Sequence, residues 1–250
     1  MPPATTSPSN FPSFDIEKAF DRVTHTVIIQ ALRAFGFPEI YIQAIQEYIL
    51  IGYAFVEVNG RSGMLIRILR GSGQGDPMSS SLFLIASEPI NLAIVQIMRG
   101  IQYTDRCGIS YSAVLFADDN LNPLSIRGGQ EIEPLLNLYQ EYTQVSGLNV
   151  NRNKSQALCI NTPEEVKEEL RAQGIQTPDV LQHLGIQLST TIENTVQATM
   201  EHTDPKLVKR RILATTPPTD LLHRALLINT AYVPIYKHIL MALPLSTQDL

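Results

Sequence analysis

Apolar residues recur at helical spacing along much of the chain. Over residues 17–35 they fall three and four positions apart and Gly36 follows as a C-terminal stop, which predicts one helix. Similar spacing predicts helices at 39–50, from about 77, at 131–145, at 163–172 and over most of 201–243. The helix at 163–172 is preceded by Thr162, and with Glu165 this matches a capping box, in which the threonine hydroxyl caps the N–H of Glu165.

Short β-prone runs lie between these helices. Residues 53–58 and 64–69 flank Asn59 and Gly60, the strongest short signal for a hairpin. Residues 112–117 predict a buried strand that ends in two carboxylates, and residues 155–160 predict another strand. Because strands and helices alternate, the sequence predicts an α+β fold with helices on one side of a small sheet.

Composition is that of a globular protein. Of the 250 residues 44% are hydrophobic, which suffices for one large core or two modest ones. No run reaches the roughly 18 uninterrupted apolar residues of a membrane span, and the N-terminus lacks a signal-peptide pattern. The two cysteines form neither a disulfide framework nor a zinc pattern. We therefore expect a protein of the nucleus or cytoplasm, not secreted, with no membrane partner.

Charge and local composition bear on binding and order. The formal net charge is −5, which argues against strong nucleic-acid binding by bulk electrostatics, since phosphate neutralisation needs clustered Lys and Arg. A basic cluster does occur, formed by Lys206, Lys209, Arg210 and Arg211, although such runs are most often the solvated face of a helix. Residues 1–13 are rich in Pro, Ser and Thr and predict a disordered lead-in, so that order begins near Phe14.

Acidic residues follow apolar segments at two places. Asp118 and Asp119 end the strand predicted at 112–117, and Asp15 lies between a short extended segment and a helix. Adjacent carboxylates at the end of a buried strand need a compensating cation, although most Asp-Asp pairs are ordinary turn residues. If the two strands are neighbours, Asp15 and Asp118 converge as in a two-metal site, where carboxylates bind two Mg²⁺ ions about 4 Å apart.

Five segments follow one another in a fixed order along the chain. They are DIEKAFD at 15–21, RGSGQGDPMS at 70–79, FADD at 116–119, SGLNVNRNKS at 146–155 and HLGI at 183–186. This series resembles the motifs of reverse transcriptases of the non-LTR (LINE-type) retrotransposon class. Residues 221–230 and 242–246 resemble the helical region after the polymerase core of that class. Five motifs in order are far more specific than any one of them.

The resemblance implies an activity and a fold. The activity is addition of deoxynucleotides to a primer 3′-hydroxyl with RNA as the template. The fold is a right-hand polymerase palm over 14–195, an antiparallel sheet backed by helices, followed by the start of a helical thumb over 196–250. The implied partners are an RNA template, a DNA primer and deoxynucleoside triphosphates. The implied cofactor is a pair of Mg²⁺ ions, with Mn²⁺ as a possible substitute.

The resemblance assigns the chemistry to four residues. The implied metal ligands, which are also catalytic, are Asp15, Asp118 and Asp119. Lys154 is implied to face the nucleotide phosphates, where a lysine offsets charge on the leaving pyrophosphate and can donate a proton. Its ordinary interpretation is an exposed lysine at a strand edge. The other acids of these motifs are interpreted as solvated or capping groups, namely Glu17, Asp21 and Asp76.

Nucleotide and primer contacts are implied by the remaining motifs. The implied nucleotide-binding residues are Phe20, Gln74 and Gly75. The ring of Phe20 would exclude a 2′-hydroxyl as a steric gate under the sugar, whereas its ordinary interpretation is a core side chain. Gln74 and Gly75 could equally form an ordinary turn into a helix. The implied primer grip is a hairpin that contains His183, Leu184 and Gly185.

The sequence departs from the pattern of the class in three respects. Pro12 and Ser13 stand where an apolar strand leads into the first acid, so the strand before Asp15 is predicted to be short or missing. Gly73 stands where Arg or Lys is usual. The fingers motifs that hold triphosphate and template are absent, so we expect a chain truncated before the fingers, with little or no polymerase activity.

Two other functions are consistent with the sequence. A non-catalytic remnant, or a repurposed palm that binds nucleic acid or protein, would keep the fold without turnover. A palm-type nucleotide cyclase fits the acids but explains neither the Gln-Gly turn nor the primer-grip motif.

Overall fold

The computed structural model describes residues 8–50, 52–73, 76–102, 110–116, 119–125, 132–215 and 228–243. The chain forms two compact units. The first consists of residues 1–157 and 161–177, and the second of residues 158–160 and 178–250.

Strands and helices are mixed along the chain, as predicted. The strands are β1 (Ser9–Ile16), β2 (Tyr53–Val58), β3 (Arg61–Arg67), β4 (Ile101–Gln102), β5 (Ser110–Tyr111), β6 (Val114–Phe116), β7 (Asp119–Leu121), β8 (Val150–Ile160), β9 (Val180–His183) and β10 (Ile186–Ser189). The helices are α1 (Ala19–Arg22), α2 (His25–Ala34), α3 (Glu39–Leu50), α4 (Ser79–Ile97), α5 (Glu133–Ser146), α6 (Glu164–Ala172), α7 (Ile192–Thr215) and α8 (Val233–Ala242). A π-helical turn, Ile228–Tyr232, precedes α8.

Strand β1 has neighbours on both sides. It pairs with β8, and the Glu17 N–H donates to the Asn149 carbonyl at 2.9 Å near one end of this pair. Near the other end Thr162 donates its hydroxyl hydrogen bond to the Asn10 side chain at 2.9 Å, so β1 and β8 are antiparallel. On the opposite side of β1, Asn10 and Leu124 exchange two backbone hydrogen bonds in an antiparallel bridge.

The prediction of a short or missing strand before Asp15 is wrong. Strand β1 begins at Ser9, so residues 9–13 of the predicted lead-in are part of it, while residues 1–7 lie outside the described residues. Pro12 is compatible with the strand because its carbonyl accepts a hydrogen bond from the Asn122 N–H at 2.8 Å, which needs no donor from proline.

The single helix predicted over residues 17–35 is also wrong, because α1 and α2 are separate. Val23 and Thr24 between them are extended. The Val23 carbonyl accepts from the Gly71 N–H at 2.7 Å, and the Thr24 N–H donates to the Ser146 carbonyl at 2.9 Å. These backbone groups bond to distant segments and cannot also serve a continuous helix.

Other predicted elements of the first unit are present with small shifts. α3 has the predicted bounds and α4 begins two residues after Pro77. α5 ends at Ser146, with Gly147 at φ 76° as its C-cap. The hairpin β2–β3 turns at Asn59 and Gly60, which both have positive φ. Strand β6 is shorter than predicted and its Val114 is 42% exposed, so the prediction of a buried strand is wrong at this residue.

The predicted capping box at the start of α6 is wrong. Pro163 occupies the N-cap position and no side chain caps the helix there. The Thr162 hydroxyl bonds instead to the side chain of Asn10 on β1. The threonine thus joins the start of α6 to the sheet, a contact that local sequence does not reveal.

The helices of the first unit enclose an apolar core. Most of its members come from α1, α2, α3 and α4, joined by Val23 before α2 and Leu148 after α5, and the fully buried ones include Ile28, Leu32 and Phe83. By length and composition alone α4 could cross a membrane, and buried core helices pass the same test. One face of α4 lies in this core.

The second unit contains the hairpin β9–β10 with α7 and α8. The Gln187 N–H donates to Thr199 Oγ1 on α7 at 2.9 Å, and Ile186, Val196 and Ile239 share an apolar cluster. Because the hairpin packs with α7, the two units divide near residue 178, ahead of the boundary predicted at 195. Residues 216–227 and 244–250 of the predicted helical region lie outside the described residues.

Candidate functional site

Asp15 lies on β1 and Asp119 on β7, at positions that an antiparallel register would place opposite each other. The register along β1 pairs Asn10 with Leu124 and Pro12 with Asn122 through backbone hydrogen bonds. Two residues further on, the backbone of Phe14 is bound to Asn120, and the next pair in this antiparallel register is Asp15 with Asp119. Both carboxylates are on exposed residues, whereas Phe14 and Asn120 are buried.

The contact beneath the two acids is made by a side-chain amide. The Phe14 N–H donates to Asn120 Oδ1 at 2.9 Å, and Asn120 Nδ2 donates to the Phe14 carbonyl at 2.6 Å. Asn120 is only 2% exposed. Sequence reasoning missed this residue. The available signal was the alternation Asn120, Leu121, Asn122, which puts amides at strand positions where apolar residues are usual.

Phe14 anchors β1 directly before Asp15. Its side chain is 2% exposed, and its ring centroid lies 4.8 Å from that of Tyr139 on α5. Burial raises the pKa of the Tyr139 hydroxyl far above its ordinary value, while a hydrogen bond with Asn122 lowers it in part. Asp15 therefore extends from a strand whose neighbouring residue is fixed in the core.

The donor set suits a divalent cation. Asp15 and Asp119 supply carboxylate oxygens, the ligands that Mg²⁺ prefers, and neither has an ion-pair partner within the described part of the chain. No group of three potential metal ligands occurs among the described residues. The third predicted ligand, Asp118, lies outside them, and the other two lie on β1 and β7.

Lys154 lies on β8, the strand on the other side of β1 from Asp119. Its neighbour Ser155 is buried, and Ser155 Oγ accepts a hydrogen bond from the Asp15 N–H at 3.3 Å. Ser155 also donates to the Asn151 carbonyl at 2.8 Å. Lys154 itself is exposed, so β7, β1 and β8 carry Asp119, Asp15 and Lys154 in that order.

Phe20 is half-buried against the core. Its ring centroid lies 4.7 Å from that of Phe83 on α4, at an interplanar angle of 35°. The Phe20 carbonyl accepts a hydrogen bond from the Ser72 N–H at 3.0 Å, so the RGSG segment is tied to the backbone of α1. The predicted pocket residues Gln74 and Gly75 lie outside the described residues.

Two glycine turns hold the segment that contains Phe20. A Cβ on Gly71 would lie 2.7 Å from the Phe20 carbonyl oxygen, and a Cβ on Gly147 would lie 2.7 Å from the Arg22 carbonyl oxygen. Both glycines also have positive φ. Gly71 of the second motif therefore approaches the first motif, and Gly147 of the fourth approaches the residue that follows the first motif, at distances that only glycine permits.

The acids interpreted as solvated or capping groups have such roles in two cases. Glu17 forms an ion pair with Arg22 at 3.1 Å. Asp76 accepts a hydrogen bond from the Met78 N–H at 2.7 Å, just before α4, and another from the Tyr48 hydroxyl.

The predicted primer grip forms the turn of hairpin β9–β10 in the second unit. Leu184 and Gly185 have φ of 49° and 83°, and His183 ends β9. The Leu184 carbonyl accepts a hydrogen bond from His238 Nε2 on α8 at 2.7 Å. The turn is thus hydrogen-bonded to α8 of the same unit.

Comparison with known proteins shows the family. A model described as reverse transcriptase (RNA-dependent DNA polymerase) matches residues 4–188. The chain belongs to the reverse transcriptase family. The retrovirus-related Pol polyprotein from type-1 retrotransposable element R2 of Popillia japonica is 38% identical over 112 residues, which are 45% of this chain. That from type-2 element R2DM of Drosophila melanogaster is 27% identical over 193 residues, or 72% of this chain.

These relatives group the chain with the reverse transcriptases of non-LTR retrotransposons, as the motifs indicated. The matched stretches cover 18% and 17% of the two relatives, so the chain spans less than a fifth of their length. Telomerase of Candida tropicalis has a similar fold in two structures. An apo form gives a TM-score of 0.53 at 12% identity over 74% of this chain and 34% of that one. A complex with a telomeric RNA fragment gives a TM-score of 0.54 at 9% identity. That match covers 94% of this chain and 39% of the telomerase chain.

Proposed function

We propose that the chain is the palm and early thumb of a polymerase that copies RNA into DNA by two-metal catalysis. The register of the hydrogen bonds along β1 supports this most directly, because its next pair would be Asp15 with Asp119, both at exposed positions. Facing carboxylates repel each other unless a cation lies between them. The same two residues belong to the first and third motifs of the family.

The metal ions would be held by Asp15, Asp119 and Asp118. When bound, Mg²⁺ or Mn²⁺ supplies positive charge to the reacting phosphate and lowers the pKa of the primer hydroxyl. The protein supplies rigidity, because buried Phe14 and Asn120 fix both strands next to the carboxylates. Lys154, on the strand beside Asp15, would offset charge on the leaving pyrophosphate.

The substrates would be an RNA template, a DNA primer and deoxynucleoside triphosphates. Phe20, held against Phe83, would face the sugar and exclude a 2′-hydroxyl. Gln74 and Gly75 would line the same pocket. The turn at His183, Leu184 and Gly185 would hold the primer, and we propose that the protein acts in the nucleus or cytoplasm.

Single-nucleotide incorporation tests the proposal. The 250-residue chain is incubated at low salt with Mn²⁺, a DNA primer on an RNA template and one labelled deoxynucleotide. We expect slow incorporation that requires the matching template base and disappears in Asp15→Asn and in Asp119→Asn. Incorporation that persists in both variants would show that these carboxylates are not the metal ligands.

The second candidate is a palm that binds without turnover. The net charge of −5 favours it, because such a chain attracts a polyanionic template weakly. It predicts that template or protein binding is retained while no nucleotide is incorporated at any Mn²⁺ concentration. The same assay, run beside a measurement of template binding, separates the two candidates.

A further inference from the structure

The hydrogen bonds between β1 and residues 120–124 change from backbone–backbone to side chain–backbone towards Asp15 and Asp119. Asn10 and Leu124 exchange both backbone hydrogen bonds, at 2.9 and 2.8 Å. One step on, the Asn122 N–H still donates to the Pro12 carbonyl at 2.8 Å. An uninterrupted ladder would next have Phe14 and Asn120 exchange two backbone hydrogen bonds.

That backbone pair is replaced by the side chain of Asn120. Its Oδ1 accepts from the Phe14 N–H and its Nδ2 donates to the Phe14 carbonyl. Within the described residues, β1 and β7 are not neighbours in one backbone-bonded sheet. An amide group therefore takes the place of the backbone pair, which requires more room between the strands than the direct backbone bonds of Asn10 and Leu124 do.

The orientation of this amide is fixed by its partners. The Phe14 N–H requires an acceptor and the Phe14 carbonyl requires a donor, so the two ends of the amide cannot exchange places. Asn120 Oδ1 also accepts from Asn122 Nδ2 at 3.3 Å. Both asparagines are buried, at 2% and 0% exposure. An aspartate at position 120 would keep the acceptor and lose the donor.

Asp15 and Asp119 are the residues next to this contact. In a regular antiparallel pair, facing Cα atoms lie about 4.5–5.5 Å apart. A pair of ions about 4 Å apart with their carboxylate ligands needs more room than that. We infer that Asn120 is a positioning residue, whose amide sets the separation of Asp15 and Asp119 and hence their affinity for divalent cations. This inference rests on the proposed metal site.

Asn122 offers a matched control. It is as buried as Asn120, and its Nδ2 also donates to a carbonyl of β1, that of Pro12, at 3.3 Å. There, however, the backbone hydrogen bond between the strands is intact, so its side chain does not separate them. Loss of either amide should lower stability. Loss of Asn122 also removes one hydrogen bond to Asn120 Oδ1, but it leaves both bonds between Asn120 and Phe14, so only loss of Asn120 should change the distance between the carboxylates.

Mn²⁺ titration followed by electron paramagnetic resonance tests the inference on the full chain. We expect Asn120→Ala to weaken Mn²⁺ binding at least about tenfold, while Asn122→Ala stays close to the parent. Asn120→Gln keeps the amide and lengthens the side chain, so it should also weaken binding and alter the spectrum of bound Mn²⁺. This variant decides the matter if Asn120→Ala does not fold.

The outcomes separate this inference from the proposed function. If Asp119→Asn abolishes Mn²⁺ binding while Asn120→Gln matches the parent in affinity and spectrum, the metal site stands and the positioning role is wrong. If the parent binds no Mn²⁺, or binds it equally well as Asp119→Asn, both the metal site and the positioning role are wrong.

Discussion

Gly71 has a left-handed backbone conformation and a close contact with another segment. Gly73, two positions later, has the left-handed conformation without the close contact. Both have positive φ, 85° and 75°. A Cβ on Gly71 would meet the Phe20 carbonyl oxygen at 2.7 Å, whereas a Cβ on Gly73 would meet only the Asp76 side chain at 4.0 Å. The two positions therefore separate the cost of the backbone conformation from the cost of the contact.

We predict that Gly71→Ala lowers the free energy of unfolding more than Gly73→Ala. The left-handed conformation should cost about 1–2 kcal/mol at either position. The contact with the Phe20 carbonyl should add about 1–3 kcal/mol at Gly71, since rigid backbone has to move. Urea unfolding of both variants measures the difference. Equal losses would mean that the turn relaxes away from Phe20.

Phe20 gives the second prediction at the scale of single residues. Replacement by Ala should raise the incorporation of ribonucleotides relative to deoxynucleotides, because the ring would no longer exclude a 2′-hydroxyl. Phe83→Leu is the control, since it removes the ring partner of Phe20 and leaves the gate in place. The ratio is measured in the incorporation assay. A ratio that changes equally in both variants would make Phe20 an ordinary core residue.

Sequence reasoning proposed the acids of the site but not the residue between their strands. Asp15 could be predicted because a carboxylate at the end of an apolar segment has few structural uses, and the family motifs agree with it. The alternation of amides at 120 and 122 marks Asn120 as unusual, but its role could not be predicted, since its partner Phe14 lies 106 positions away. Its role depends on which strand is adjacent and in what register, and neither is encoded locally.

Helix α5 is tied to α4 by a buried hydroxyl. Tyr142 donates a hydrogen bond to the Ala86 carbonyl. Burial raises the pKa of Tyr142 to about 12, above the value of about 10 expected in the unfolded chain. Above pH 10 the unfolded chain loses this proton while the folded protein keeps it, so stability falls as pH rises through this interval.

We predict that the stability advantage of the parent over Tyr142→Phe shrinks with rising pH and then reverses. Below pH 10 the variant should be less stable by about 1 kcal/mol, from the lost hydrogen bond. Between about pH 10 and 12 the free energy of unfolding of the parent falls by up to about 1.4 kcal/mol per pH unit because of Tyr142, and that of the variant does not. Urea unfolding across this range tests it, with Tyr111→Phe, at an exposed residue, as a control. A constant difference would contradict the prediction.

The ends of helices and hairpins were predicted well where nearby residues determine them, and poorly where hydrogen bonds to distant segments do. The hairpin at Asn59 and Gly60 and the end of α5 at Gly147 follow from residues with positive φ. The break at Val23 does not, because its carbonyl bonds to Gly71, and the helical periodicity continues through it. The capping box predicted at the start of α6 was wrong for the same reason, because Thr162 bonds to the distant residue Asn10.

At the scale of the whole molecule, the acidic net charge opposes binding of the proposed nucleic-acid substrates. With a net charge of −5, binding to an RNA–DNA duplex depends on local cations. Lys206 and Lys209 are exposed and lie three positions apart on α7, so they share one face of that helix. We predict that affinity for the duplex falls steeply with salt and that these two lysines account for part of the slope.

Replacing both lysines by Gln should flatten the plot of log affinity against log salt by about 1–2 units, since each phosphate contact contributes about 0.9. The matched control replaces Lys167 and Arg171 by Gln, which removes the same charge from α6. Those two cations are already paired with Glu164, at 3.2 and 2.8 Å, and should neutralise few phosphates. Fluorescence anisotropy at several salt concentrations gives both slopes. Equal flattening in the two double variants would show that net charge governs binding, not a surface on α7.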